Sequence, residues 1–152
     1  MSKEHKCASK NCRHENSPVS IDSCVKVGNR YWHKDCYKQK ENLKMIIKLF
    51  SENVCCDKKV YADLQRVIKD IVLNKKVESE LLLFGLRYYI NHKISLHYPA
   101  GLYYVIQNKD VIESYHKNKL KEQNVTFEIK KERSTGFTHK PIKTNGFADI
   151  LK

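Results

Sequence analysis

Apolar positions recur with a helical period through most of this chain. Leu43, Ile46, Ile47 and Phe50 stand at i, i+3, i+4 and i+7, with Lys38, Lys40, Lys44 and Lys48 on the remaining surface. That spacing predicts an amphipathic helix over residues 33–50 with an apolar seam and a basic face. A second stripe of Val60, Leu64, Val67, Ile68, Ile71 and Val72 predicts a helix over residues 58–73. The run from Leu81 to Phe84, continued by Leu86 and Ile90, is apolar on most sides and is expected to be the central, most buried helix. Ser79 is placed to cap it, and Gly85 to permit close helix packing at a cost of about 1 kcal/mol relative to Ala. Residues 91–98 read as a connection. Pro99 suits a first helical turn, which gives a short helix over 99–107 presenting Leu102, Tyr103, Val105 and Ile106. Asp110 with Glu113 three residues on makes a capping-box start for a last helix over 111–122.

The period changes at both ends. Residues 21–27 have extended character, Gly28-Asn29 is a hairpin-turn dipeptide, and Arg30-Tyr31-Trp32 is a compatible return strand. Beyond Gln123, Val125, Phe127 and Ile129 alternate with polar residues as a short strand does, and Ser134-Thr135-Gly136 and Asn145-Gly146 punctuate a polar, basic tail that ends in a small apolar motif, Phe147, Ile150 and Leu151. The expected fold is therefore mainly α. An N-terminal hairpin module (1–50) precedes a small helical bundle (51–122) and a basic tail (123–152).

The hairpin is flanked by two pairs of soft metal ligands. Cys7 and Cys12 lie on a short polar loop, and His33 and Cys36 are three residues apart where the first helix begins, so that both face one side. Zinc gathers thiolate sulfur and imidazole nitrogen tetrahedrally, and pairs at such spacings can bend toward one point. Knuckle, hairpin, then a helix carrying the last two ligands is the order of a treble-clef zinc finger. One structural Zn²⁺ on Cys7, Cys12, His33 and Cys36 is the expectation, with no position left for water. Cys24, in the intervening hairpin, is an alternative ligand to His33, and His14 is a further one. The chain shows no signal-peptide pattern and no stretch of eighteen apolar residues, so a cytoplasmic setting is expected, with no membrane partner. In that compartment six cysteines argue for metal and free thiols over disulfides, with Cys55-Cys56 left as an adjacent reduced pair.

The run Val27-Gly28-Asn29-Arg30-Tyr31-Trp32-His33-Lys34-Asp35-Cys36-Tyr37 resembles the end of the first zinc half-site of a LIM domain, where an aromatic precedes His-x-x-Cys. The first pair has four intervening residues where LIM domains have two, and no second Cys-rich finger follows, so the likeness is to a LIM-like treble clef over about a fifth of the chain. The finger, followed by helices and the segment Tyr98-Pro99-Ala100-Gly101-Leu102-Tyr103-Tyr104-Val105-Ile106, is similar to small zinc-finger proteins of bacteriophages and mobile elements of Gram-positive bacteria.

Charge adds the second functional signal. Lys and Arg number 29 against 17 Asp and Glu, a net charge of +12, and residues 1–50 carry 11 basic against 5 acidic side chains. A basic finger of this size suits phosphate contacts, and the residues placed for them are Lys10, Arg13, Lys26, Arg30, Lys34, Lys38, Lys40, Lys44 and Lys48. The expected partner is nucleic acid, DNA ahead of RNA. A LIM-like module that binds or inhibits a host or phage protein is the alternative. Six tyrosines between residues 88 and 115 (Tyr88, Tyr89, Tyr98, Tyr103, Tyr104 and Tyr115) are assigned by their helical spacing to core and rim ahead of base stacking. Enzymatic signatures are lacking: there is no P-loop, no His-Glu-x-x-His and no zinc-deaminase pattern. Glu128-Ile129-Lys130 matches the end of a metal-dependent nuclease pattern without an upstream acidic partner. The expected function is non-enzymatic.

Overall fold

Gly28 sits at φ +59°, a conformation open to glycine and closed to most L residues, and there the chain reverses. The turn joins β1 (Cys24–Val27) to β2 (Arg30–His33) as an antiparallel hairpin with Cys24 opposite His33, Val25 opposite Trp32, Lys26 opposite Tyr31 and Val27 opposite Arg30. A two-residue loop with glycine at its first central position is the arrangement a II′ turn favours. The computed structural model describes residues 5–12, 14, 18–19, 24–54 and 57–135. From β2 the chain enters α1 (Lys34–Asn53) directly. It continues through α2 (Lys58–Lys69), which widens into a π-helical turn (Asp70–Asn74), then α3 (Ser79–Asn91), a 3-10 turn (Pro99–Gly101) running into α4 (Leu102–Val105), and α5 (Lys109–Thr135). The protein is mainly helical, with a two-stranded hairpin ahead of the helices, as the hydrophobic pattern predicts.

The chain divides into two compact units, Met1–His116 and Lys117–Lys152. The core of the first is a single cluster. It takes Ile46 and Phe50 from α1, Leu64 and Ile68 from α2, Ile71 and Val72 from the π turn, Leu82, Leu86 and Tyr89 from α3, Leu102 and Val105 from α4, and Val111 from α5. Each such aliphatic or aromatic side chain, fully buried, contributes about 1.5–3 kcal/mol. The C-terminal half of α1 thus belongs to the helical body, although its first turn serves the hairpin. At Gly85 the backbones come close: a Cβ there would lie 2.5 Å from Val105 Cγ1 and 3.1 Å from Val111 Cγ1, so glycine is what lets α4 and the start of α5 seat against α3.

Several helix boundaries differ from the sequence expectation. Helix α1 starts at Lys34, and His33 closes β2 as the residue before the helix. Ser79 does not cap α3. Glu78 holds that position, and Ser79 is buried, its hydroxyl accepting from Asn42 Nδ2 at 3.1 Å. The last helix begins at Lys109 because Asn108, not Asp110, caps it: Asn108 Oδ1 accepts from the Asp110 N–H at 2.9 Å. Helix α3 ends at Asn91 and is closed by Lys93, φ +53°, where the Lys93 N–H reaches Ile90 O and the Ile94 N–H reaches Tyr89 O. That is a Schellman motif with lysine where glycine is usual. The strand expected at Val125, Phe127 and Ile129 is instead helical, within α5. From Lys109 to Thr135 there is no Gly or Pro, and a Lys, Glu and Gln-rich sequence sustains a helix more strongly than three alternating apolar residues favour a strand. Cys55, Cys56, Phe147, Ile150 and Leu151 lie outside the described residues.

Candidate metal centre

The loop carrying Cys7 and Cys12 is fixed to the hairpin through its backbone. Cys7 pairs with Tyr31 in a parallel bridge, and the Ala8 N–H donates to Tyr31 O at 2.9 Å. One residue pair further out, His5 and Val19 exchange N–H···O bonds of 3.3 and 2.8 Å, and Val19 is buried. The His5 imidazole lies flat on the Tyr31 ring, with 3.9 Å between centroids and 3° between planes. β2 is therefore the shared wall: its backbone holds the loop on one edge and β1 on the other, and its last residue is His33.

Four side chains converge where loop, β2 and α1 meet. The ligand atoms of Cys7, Cys12, His33 and Cys36 all lie within 4.8 Å of one another, close enough to hold a metal ion. Cys36 Sγ is 3.7 Å from Cys12 Sγ, while His33 Nδ1 is 3.3 Å from Cys12 Sγ and 4.0 Å from Cys36 Sγ. A tetrahedral zinc with ordinary bond lengths separates two sulfurs by about 3.8 Å and a sulfur from a nitrogen by about 3.6 Å. The sulfur–sulfur separation lies close to the first value and the two sulfur–nitrogen separations bracket the second, so the set is compatible with one zinc ion.

The electrostatics favour thiolate. Burial pushes the Cys7 thiol up, but the backbone N–H groups of His33 and Ser9, and after them the side chains of Cys12 and Cys36, outweigh it and hold Cys7 below the ordinary thiol value. Cys36 is buried in the first turn of α1. His14 is not a member of the group. Its ring lies 4.4 Å from that of His33 in a tilted contact, and its Nε2 is 3.8 Å from Asp35 Oδ2. Cys24, although it faces His33 across the hairpin, is also outside the cluster.

The basic residues separate into two sets. On α1, Lys38 is ion-paired with Glu80 of α3, Lys44 with Glu41 at 3.3 Å and Lys48 with Glu52 at 3.9 Å. Lys40 lies over the Trp32 ring, 4.3 Å from its centroid, and covers the buried indole of β2. On the loop, the hairpin and the first position of α1, Lys10, Lys26, Arg30 and Lys34 are exposed, and none forms an ion pair with a described residue. Lys26 extends over Tyr31 at 5.6 Å. Arg13 lies outside the described residues. The lysine face of α1 was legible as a helical periodicity, but its acidic partners were only partly so: Glu41 and Glu52 stand at helical spacing, whereas Glu80 comes from another helix. The parallel pairing of the Cys7 loop with β2 has no local sequence signal. No described helix is long and apolar enough to cross a membrane. Comparison with protein-family models, curated proteins and solved structures finds no match to this chain.

Proposed function

We propose that the protein is a zinc-stabilised nucleic-acid-binding protein in which the metal is structural and the loop and hairpin around it present cations to the phosphate backbone. The convergence of three cysteines and one histidine with near-tetrahedral separations carries the zinc assignment, since that donor set is typical of closed structural sites. In this reading the module is a treble clef, with the Cys7 to Cys12 loop as knuckle and α1 as its closing helix. Zn²⁺ with three thiolates and a neutral imidazole leaves the centre at about −1, which offsets little of the surrounding positive charge. Lys10, Lys26, Arg30 and Lys34, exposed and without a carboxylate partner among the described residues, are better placed to meet phosphate than the α1 lysines already engaged with Glu80, Glu41 and Glu52.

The test is an anisotropy titration of the metal-loaded chain with short DNA and RNA at several salt concentrations, with metal content assayed on the same sample. About one zinc per chain is expected, and log Kd should rise linearly with log salt. Changing Lys10, Lys26, Arg30 and Lys34 to Ala should weaken binding to all sequences and lower the salt slope by about one for each phosphate no longer neutralised. A zinc-loaded protein that binds no nucleic acid at low salt sinks the proposal.

A further inference from the structure

From residue 81 to residue 109 the chain carries no Asp or Glu, while Arg87, His92, Lys93, His97 and Lys109 fall in that interval. Four of the six tyrosines near it are absorbed by the fold. Tyr89 and Tyr115 are each 8 % exposed, Tyr88 stacks on His92 and meets Phe84 in a tilted contact, and the Tyr103 hydroxyl donates to Asp70 Oδ2 at 2.8 Å. The other two are not. Tyr98 is 73 % exposed and Tyr104 72 %, the most exposed of the large apolar side chains among the described residues. They stand at either end of the short segment of 3-10 and α turns that follows Pro99.

Two features hold these rings outward. Pro99 and Leu102 between them and Val105 just after them are buried, so the segment is anchored by its other positions and the tyrosines gain nothing from the core. Immediately before Tyr98 the chain borders a groove of about 400 Å³ lined by Asn53, Tyr89, Lys93, Ser95 and His97, and Ser95 Oγ and His97 Nε2 lie 2.9 Å apart on its rim. Tyr98, beside a part-apolar groove that carries Lys93 and no carboxylate, with the exposed Tyr104 six residues on, combines the two elements by which unpaired strands are held: stacking on base faces and attraction for the phosphate backbone. A duplex does not fit, because its base faces are already covered by their neighbours.

We infer that Tyr98 and Tyr104 are stacking platforms for a single strand of nucleic acid whose backbone is drawn by Lys93, His97 and Lys109. The inference rests on the nucleic-acid reading above and adds its substrate form, single-stranded over double-stranded. It places a second surface on the helical body, apart in sequence from the metal centre.

The experiment uses the full metal-loaded chain, a fluorescein-labelled oligo(dT) and a duplex of equal length, at fixed salt. Tyr98→Ala and Tyr104→Ala should each weaken oligo(dT) binding about 5- to 150-fold, the range expected for removing one base–aromatic stack, with duplex binding and melting temperature unchanged. Tyr98→Phe and Tyr104→Phe keep the ring and should bind within about two-fold of the parent. Alanine variants that bind oligo(dT) like the parent overturn the inference and leave the charge-based reading standing, as does an equal loss for single strand and duplex. A loss confined to the tyrosine variants, with the Lys10, Lys26, Arg30 and Lys34 set indifferent, supports the tyrosine surface and removes the hairpin from the reading. No binding of either probe by the parent overturns both.

Discussion

One helix serves two regions that are held by different forces. The first turn of α1 supplies Cys36 to the candidate metal centre, and about 21 Å further along the same helix Phe50 enters the core of the helical body, fully buried among residues from α2 and α3. Among the described residues ahead of the helical body the buried apolar ones are few: Val19, Trp32 and Cys36 itself. Phe50 belongs to one cluster of twelve buried side chains. Apolar burial is thus extensive in the second region and sparse among the described residues of the first, where four side chains that could hold a metal ion converge. On the zinc reading proposed above, the first region is the conditional end of the fold and the second the unconditional one.

The largest expected effect follows from that asymmetry. With the proposed zinc in place, removing it withdraws a contribution on the order of 10 kcal/mol from the N-terminal region alone. Chelation should abolish hydrogen-exchange protection of the hairpin amides from residue 24 to 33, while the far-UV signal of the helices persists. Cys12→Ser and Cys36→Ser should reproduce that state and drop the metal content from about one per chain to none, whereas Cys24→Ser should leave it at one, because Cys24 lies outside the cluster. Hairpin amides still protected after complete metal removal would show that β1 and β2 hold without the centre and would dissolve the contrast.

A smaller effect sharpens the other side. Gly85→Ala puts a Cβ within 2.5 Å of Val105 Cγ1, and valine, stiff at χ1, cannot swing away without moving its helix. Overpacking costs about 1–3 kcal/mol, against a gain of about 1 kcal/mol in helix propensity. Net destabilisation of about 1 kcal/mol should lower the melting temperature by about 3 °C, with metal content unaltered. A rise in melting temperature would mean that α3 and α4 are not tightly seated at this point.

What the sequence made legible was whatever is periodic or chemically singular. The stripes of Leu43 to Phe50 and Val60 to Val72 announce helices because a 3.6-residue period needs no tertiary information, and the four ligands stand out because two soft pairs flank a turn signal. Helix ends were less legible where the capping residue is atypical: Lys93 takes the left-handed position that glycine usually fills, and Asn108 caps two residues ahead of the Asp that the capping-box pattern favours. The parallel contact between Cys7 and Tyr31 was invisible because nothing local specifies a single bridge across twenty-four residues. Tyr98 and Tyr104 carried the same pattern as Tyr89 and Tyr103. Only the placement of Pro99, Leu102 and Val105 in the core shows which rings are left outside.

The smallest effect tests whether a partly exposed tie on the helical body depends on pH. Asp70, at the start of the π turn, accepts from Asn74 Nδ2 at 2.7 Å and from the Tyr103 hydroxyl at 2.8 Å, and the second bond fastens the turn to α4. The Asn74 amide first, then the Tyr103 hydroxyl and the charge of Lys75, hold the Asp70 carboxyl below its usual range against a small opposing effect of burial. The same bond, with burial, pushes the Tyr103 phenol up. A depressed carboxyl contributes stability that is present above its unfolded value of about 3.9 and is lost as pH falls through the folded value; a raised phenol contributes stability present below about 10 and lost as pH rises through its folded value. The melting-temperature gap between parent and Tyr103→Phe should therefore be widest between about pH 5 and 9 and close at both extremes. Loss of metal in acid affects both proteins alike and cancels in the difference, so the gap isolates this contact. A gap that stays constant down to about pH 2 would assign the effect of Tyr103 to packing, with the Lys75 ammonium 4.2 Å from its ring centroid as the interaction then to be tested.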